Sequence, residues 1–569
     1  MRYAARTAVR PISQNGTLAS LEKMLKAGPP AAPKCGGAGP HFANLRRFRV
    51  VDMVKSLPRR SLGEGGERRV PVTATVTLAR FQMYIGGQWV DASSHDHFES
   101  DDPFHAAPWA LIPRGTAADV DLAVRAAHRA FTSGEWPALT ASKRGALLRR
   151  LGDLITERSK SLAEIEVRDN GKLYAEMSMQ TAYMAQWYHY YGGLADKIEG
   201  AVLPTDKADT FNFTRYEPLG VVAAIVPWNS PLLLLAWKLA PALAAGNTMV
   251  VKPSEYTSAS TLEFMKLIEE AGFPPGVVNV VTGFGPDVGA TLVEHPLVAK
   301  VAFTGSDATG QRIYESAARS MKHVTMELGG KSPNIVFDDA EMENAVKGVI
   351  SGIFAATGQT CIAGSRLLVQ RSIHDQFLNR LVEFAKTAKM GNPMSPDTQI
   401  GPVTNKPQFE KILKYIDVAK GEGARAVLGG SRATRPECGT GWFVEPTIFE
   451  GVHNRMRIAQ EEVFGPVLAV IPFEDEDDAI AIGNDVVYGL AAGVWTTSMR
   501  RALKMAEKLQ AGTVWINTYR AVSYLSPFGG YKRSGLGRES GQEMIKEYLQ
   551  VKSVWISTAE NVPNPFIQR

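Results

Sequence analysis

The stretch "GQTCIAGSR" (358–366) sets Cys361 among glycine, threonine and alanine. A structural thiol usually sits in an apolar core and stays inert, whereas a reacting thiol needs access and a stabilised thiolate. Small neighbours supply the access, which makes Cys361 a candidate nucleophile. Two glycine-rich turns, "GFGPDVG" (283–289) and "GSDATG" (305–310), follow apolar runs. Backbone N–H groups at such turns can receive a phosphate, although each also serves as a plain strand-to-helix turn. Other polar residues stand where apolar runs end: Asn229, Lys252 to Glu255, Thr304 to Ser306, and Glu327.

These residues need elements to hold them. From about 115 to 195 apolar residues recur every three or four positions, as in "AADVDLAVRAAHRAF", which predicts helices. "GVVAAIVPW", "NTMVVKP", "VVNVVTG", "KVAFTGS" and "HVTMELGG" then alternate with helical stretches. Short, almost wholly apolar strands of this kind belong to a parallel sheet covered on both faces. In such doubly wound sheets ligands lie beyond the carboxyl ends of the strands, where the polar clusters fall. A second set of strand-like runs extends from "SPNIVF" to "GTVWIN" and reads as a further α/β domain. "FQMYIGGQWVDA" reads as a hairpin around Gly86-Gly87, and the folded body is expected to begin near Phe81. "IEGAVLPTDKADTFNFTRYEPLG" leaves the first domain as two alternating strands, and "EYLQVKSVWIST" is placed to pair with them. The expected division is an N-terminal extension over 1–79, a nucleotide-binding domain over 80–198 and 219–328, a second α/β domain over 329–540, and a β arm over 199–218 and 541–557.

Composition narrows the class. A chain of 569 residues is too long for one core. Three cysteines make no disulfide framework and suit a reducing compartment, so a cytoplasmic protein is expected. The most apolar segment, "SPLLLLAWKLAPALAAG", is interrupted by Lys238 and Pro241 and is too short to span a bilayer. The net charge of +5 is misleading. Residues 1–80 hold 15 Lys/Arg against 4 Asp/Glu, and the remainder holds 48 against 54. The body is thus mildly acidic, and neither nucleic acid nor membrane is expected as a partner. The basic segment is rich in Pro, Gly and Arg, and reads as a disordered extension, with a transit peptide as the alternative.

In order, the chain carries "PWNSP", "KPSE", "FTGS", "MELGGKSPNIVF", "GQTCIAGSR", "EEVFGPV" and "PFGGYKRSGLGRE". With this series it resembles the NAD(P)-dependent aldehyde dehydrogenase superfamily over roughly 81–557. The 34 residues from Glu327 to Cys361 match the hydrolytic branch, which does not acylate CoA. The resemblance implies NAD-dependent oxidation of an aldehyde, semialdehydes included, to the acid. Cys361 would attack the carbonyl to give a thiohemiacetal and then a thioester. Asn229 and the Cys361 N–H would hold the oxyanion, and Glu327 would activate the hydrolytic water. An ordinary thiol is only a few per cent ionised at neutral pH, so the site is expected to lower its pKa by about 1–2. Lys238 matches a position linked to proton relay with the base.

For the cofactor, the resemblance places Lys252 and Glu255 on the adenosine ribose, with Gly285 in the adjoining turn. Ser306 would meet the pyrophosphate, and Glu462, Phe464 and Trp228 the nicotinamide half. Because a carboxylate repels a 2′-phosphate, Glu255 favours NAD over NADP. The implied substrate tunnel is lined by Ser230, Leu234, Trp237, Thr360, Ile362, Val522 and Phe528, with Arg520 at its mouth. Ser230 replaces the bulky aromatic common at that position. The implied partner is a small-molecule aldehyde, the assembly a homodimer or homotetramer, and no metal is expected. The alternative reading is a CoA-acylating semialdehyde dehydrogenase of the same fold, a branch that lacks a base at the Glu327 position.

Overall fold

The computed structural model describes residues 78–562 and 564–567. The expectations for the basic extension therefore lie outside the described residues, apart from its last two positions. Pairing begins with Ala79–Arg80 beside Ala110–Leu111, just ahead of Phe81. Met83–Ile85 and Gln88–Val90 then form the expected hairpin, with Gly86 and Gly87 at φ 61° and 81°, a left-handed geometry that glycine adopts without a Cβ clash.

Five parallel strands form the centre of the first sheet: β1 (Val221–Ile225), β2 (Thr248–Lys252), β3 (Val278–Val280), β4 (Val298–Thr304) and β5 (His323–Glu327). Their spatial order is β5-β4-β1-β2-β3, with the N-terminal hairpin beyond β3 and Gly535–Leu536 beyond β5. Strand order reverses between β1 and β4, which opens the crevice where doubly wound sheets bind nucleotides.

After β1 comes α1 (Pro231–Ala245), which starts with Pro at its first turn and stops at Gly246, φ 97°. Pro is pre-set for the first turn, and left-handed Gly ends a helix cheaply. Almost all of α1 is buried, against the sheet and under the helices Ala141–Asn170 and Tyr174–Leu194. Its uniform apolarity, which first raised the question of a membrane span, is explained by burial on every side. Among the described residues no helix is long and apolar enough to cross a membrane.

The later strand-like runs, from "SPNIVF" to "GTVWIN", became strands of a second sheet. In chain order they are β6 (Pro333–Val336), β7 (Arg366–Gln370), β8 (Arg425–Leu428), β9 (Thr447–Glu450), β10 (Val467–Phe473), β11 (Ala491–Trp495) and β12 (Thr513–Ile516). They pair in the order β8-β9-β10-β7-β6-β11-β12, parallel except for β8. A small third sheet joins Val202–Leu203, Thr210–Pro218 and Leu549–Ser557, the last two antiparallel along nine residue pairs. The architecture is α/β with two large, mainly parallel sheets, as the alternation of runs implied.

Candidate active site

A cavity opens at the switch point of the first sheet. The loop after β1 contributes Pro227, Trp228 and Asn229, the end of β4 contributes Thr304, Gly305 and Ser306, and β5 ends in Glu327. Cys361, Glu462 and Phe464 enter from the second-sheet side, and Leu234 from α1. The cavity brings together the thiol, the amide, the carboxylate and much of the expected nicotinamide end.

Cys361 is half-buried and follows a strained turn in which Ala356, Thr357 and Gly358 all have φ between 51° and 68°. A β-branched residue such as Thr357 rarely adopts this region and needs its surroundings to hold it. Thr357 Oγ1 donates to Gly401 O at 3.1 Å, and Ala356 N donates to Glu176 Oε1 at 2.9 Å. Gln359 adds two bonds, accepting from Thr404 N at 2.9 Å and donating to Pro402 O at 3.3 Å. The turn is thus fixed just ahead of the thiol. Asn229 Nδ2 donates to Gln359 O at 3.0 Å, which aims the amide at the same place and leaves its second N–H available.

Glu327 is buried, and neither carboxylate oxygen has a hydrogen-bond partner. Burial first, then the negative charge of Glu539, pushes its pKa well above the usual carboxylate range, while Lys238 and Arg538 oppose the rise. The backbone of "PFGG" runs alongside: a Cβ on Gly529 would stand 2.8 Å from Glu327 Oε1. Lys238 is buried and pairs with Glu539. It therefore acts on Glu327 through space and not by a hydrogen bond.

The lowered thiol pKa is not found. Burial, Glu327 and Glu462 push Cys361 up to about 12, against the smaller pull of the Ile362 N–H and Lys172. The thiol rests protonated because the cavity that shields it also strips solvent from its anion, and the negative charges of Glu327 and Glu462 outweigh the positive charge of Lys172. Nucleophilic attack from this state requires a base.

Further from the thiol, Lys252 is buried at the end of β2, and its ammonium group lies 3.4 Å from Glu255 Oε2. Glu255 lines a separate groove with Phe284 and Lys406. Ser306 caps the helix Asp307–Ala318, accepting from Thr309 N at 3.3 Å. Glu462 accepts from Gly330 N at 3.0 Å, and Phe464 packs edge-on against Trp228 at 5.2 Å. Space around Gly285 is open, with nothing within 4 Å of a Cβ built there. An open turn, a helix N-terminus at the switch point and carboxylates at both ends suit a dinucleotide, so these residues fit NAD.

The expected tunnel residues are less uniform. Leu234 lines the cavity, while Trp237 stacks on Trp187 at 5.9 Å and meets Phe528 at 5.0 Å. Ile362 O accepts from Tyr519 Oη at 3.0 Å, and Thr360 O accepts from Ala363 N at 3.1 Å. Val522 is half-buried against the main core, and its carbonyl accepts from Tyr183 Oη at 3.4 Å. Arg520, at φ 64°, spends one N–H on Ser351 O at 3.4 Å. Sequence reading missed Glu539, although it ends the quoted "PFGGYKRSGLGRE", and also Gln408 and Lys411, which line the cavity. It missed Lys172 as well, whose Nζ donates to Ser230 Oγ at 2.8 Å.

Fold and site together define an α/β protein with a nucleotide-type crevice in which a thiol, an amide and a carboxylate share one cavity. The model of the aldehyde dehydrogenase family matches residues 89–554, and the chain belongs to that family. It is 47% identical over 495 residues to (Z)-2-((N-methylformamido)methylene)-5-hydroxybutyrolactone dehydrogenase of Acinetobacter baylyi, covering 86% of this chain and 100% of the relative. It is 44% identical to human aldehyde dehydrogenase 1A1, covering 88% and 99%. Among solved structures it is similar to betaine aldehyde dehydrogenase from Staphylococcus aureus in complex with NAD+, with TM-score 0.84, 42% identity and coverage of 86% and 96%. Its reaction class is NAD-dependent oxidation of an aldehyde.

Proposed function

We propose that Cys361 is the nucleophile, Glu327 the general base, and the Asn229 amide with the Cys361 N–H the oxyanion donors, in oxidation of a small-molecule aldehyde to its acid. The observation that carries this reading is a buried carboxylate with neither oxygen satisfied, sharing one cavity with the thiol and the amide. Ionised Glu327 receives the thiol proton, and Sγ adds to the aldehyde carbon. The resulting oxyanion accepts from the free Asn229 N–H; removing one such donor typically costs about 2.7–4 kcal/mol of barrier. Bound NAD supplies the hydride acceptor of the oxidation. The acyl group remains on Cys361 as a thioester; Glu327 gives up the thiol proton to solvent, then takes a proton from the attacking water, and the acyl–sulfur bond breaks to return the Cys361 thiolate and the acid. A base in this position favours hydrolysis over transfer to CoA.

Lys252 and Glu255 would hold the adenosine ribose, Gly285 and Ser306 the pyrophosphate region, and Glu462, Phe464 and Trp228 the nicotinamide half. The division taken is an NAD-binding domain (80–198 and 219–328), a catalytic domain (329–540) and an oligomerisation arm (199–218 and 541–557); the two large sheets and the small one support it, although Gly535–Leu536 crosses to the edge of the first sheet. Exposed Phe211, Trp555 and Ile556 on the small sheet support a homo-oligomer, and scarce cysteine supports the cytoplasm. Purified protein should form NADH from aldehydes without CoA, and Cys361→Ala should abolish this while Cys438→Ala retains most of it. Normal turnover by Cys361→Ala would refute the assignment.

A further inference from the structure

Two carboxyl groups support the active site from behind, one on each side of a break between two helices. The helix Ala141–Asn170 ends at Gly171, φ 74°, and the helix Tyr174–Leu194 starts three residues later. Glu166 lies near the end of the first helix and Glu176 in the first turn of the second. Glu166 Oε1 accepts from Leu232 N at 3.1 Å, and Glu176 Oε1 accepts from Ala356 N at 2.9 Å. Each keeps its second oxygen buried and without a hydrogen-bond partner. Buried, half-bonded carboxyl groups cost stability, and an apolar brace would hold the helices more cheaply.

The two bonds fall on the two segments that carry the proposed oxyanion donors. Leu232 N is the first N–H of α1, since Pro231 has none, and α1 starts two residues after Asn229. Ser230 stands at the capping position of α1 but makes no cap, because its Oγ accepts from Lys172 Nζ at 2.8 Å. Glu166 supplies the missing acceptor from 66 residues away, where the positive end of the helix dipole favours it. Ala356 opens the left-handed turn ahead of Cys361, and the Glu176 bond holds it in a backbone region that only glycine enters freely. The break itself is pinned to the same place. Thr404 Oγ1 donates to Asn170 O at 2.7 Å, and a Cβ on Gly401 would stand 2.6 Å from Gly171 O. Gln359 then links Thr404 N to the Asn229 amide.

We infer that Glu166 and Glu176 are positioning residues for the oxyanion hole. Glu166 aims the Asn229 amide through the start of α1, and Glu176 fixes the Cys361 N–H through the turn before it. This deepens the proposed mechanism and rests on its assignment of the two donors. Neither carboxyl lines the cavity; each acts through the backbone that it holds. Oxyanion donors serve the transition state more than substrate binding, so a displaced donor costs kcat more than KM.

The test measures kcat and KM with NAD on whichever of acetaldehyde, propanal and benzaldehyde the wild type oxidises fastest. Glu166→Leu and Glu176→Leu remove the acceptors, and each should lower kcat at least about tenfold while KM moves less than about threefold. Glu166→Gln and Glu176→Gln keep an acceptor oxygen and should recover most of that loss. Glu166→Asp and Glu176→Asp, one methylene short of the N–H, serve where the leucine variants do not fold, and should lower kcat in the same direction. Asn229→Ala then separates the two carboxyl groups. In that background the loss of Glu166 should add less than about twofold, because its donor has gone, whereas the loss of Glu176 should keep its full effect. Wild-type kcat in the folded Leu or Asp variants, or a full further loss at Glu166 beside Asn229→Ala, would overturn the inference and leave the oxidation standing. Normal turnover by Asn229→Ala alone would instead remove the donor assignment on which it rests.

Discussion

Glu327 and Glu255 are both carboxylates at or just beyond the end of a strand of the first sheet, yet their settings are opposite. Glu327 is 4% exposed with no hydrogen-bond partner, whereas the Glu255 side chain is 28% exposed beside Lys252. The first is held out of its comfortable state, as a proton acceptor must be. The second is already partly satisfied and wet, as suits a group that reads a hydroxyl. Environment, more than residue type, separates a base from a recognition group.

The largest break in this contrast is Glu327→Gln. General-base catalysis contributes about 10²–10⁴-fold, and kcat should fall by that order. A thioester on Cys361 should then accumulate, visible by mass spectrometry; acid release at the normal rate would point to another base. The pH profile comes next. A base whose pKa is raised is ionised only above that raised value, so kcat/KM should fall as pH drops through a limb displaced above the ordinary carboxylate range. Glu539→Gln removes the charge that raises it, and the acid limb should move to lower pH. A limb that stays put would clear Glu539 of that role.

A smaller effect is expected at Glu255. Wild type should favour NAD over NADP by about tenfold in kcat/KM, and Glu255→Gln should narrow the gap. An unchanged ratio in the variant would remove Glu255 as the selector. The smallest effect separates the two carboxylates by solvent. At 1 M salt the Debye length is about 3 Å, so NAD selectivity at the partly exposed Glu255 should weaken while the acid limb set by buried Glu327 shifts little. Equal sensitivity of both to salt would mean that Glu327 is reached by solvent.

Much of this was legible because it is local. The run "GVVAAIVPW" announces a buried strand by its apolarity, and Gly86-Gly87 announces a hairpin by the backbone it permits. The spacing of Glu327 and Cys361 survives in the chain as a fixed interval. What escaped depends on distant partners. Lys238 meets Glu539 across 301 residues, and Lys172 meets Ser230 across 58, distances at which no periodicity carries information. The pKa of Cys361 failed for the same reason. Small flanking residues promise access, but burial and the signs of neighbouring charges are set by Glu327 and Glu462, which only the fold brings near.

The strand that carries Glu327 has its outer edge covered by Gly535–Leu536, with Met326 opposite Leu536 and Glu327 opposite Gly535. Pairings so far apart in sequence form late in folding, because long loops must close before their contacts repay the entropy. On the ribosome the first sheet can collect β1 to β5 early, but the strand of Glu327 waits for the last part of the chain before its edge is closed. A nascent or C-terminally truncated chain can therefore present the thiol loop while the strand bearing Glu327 still lacks an outer neighbour.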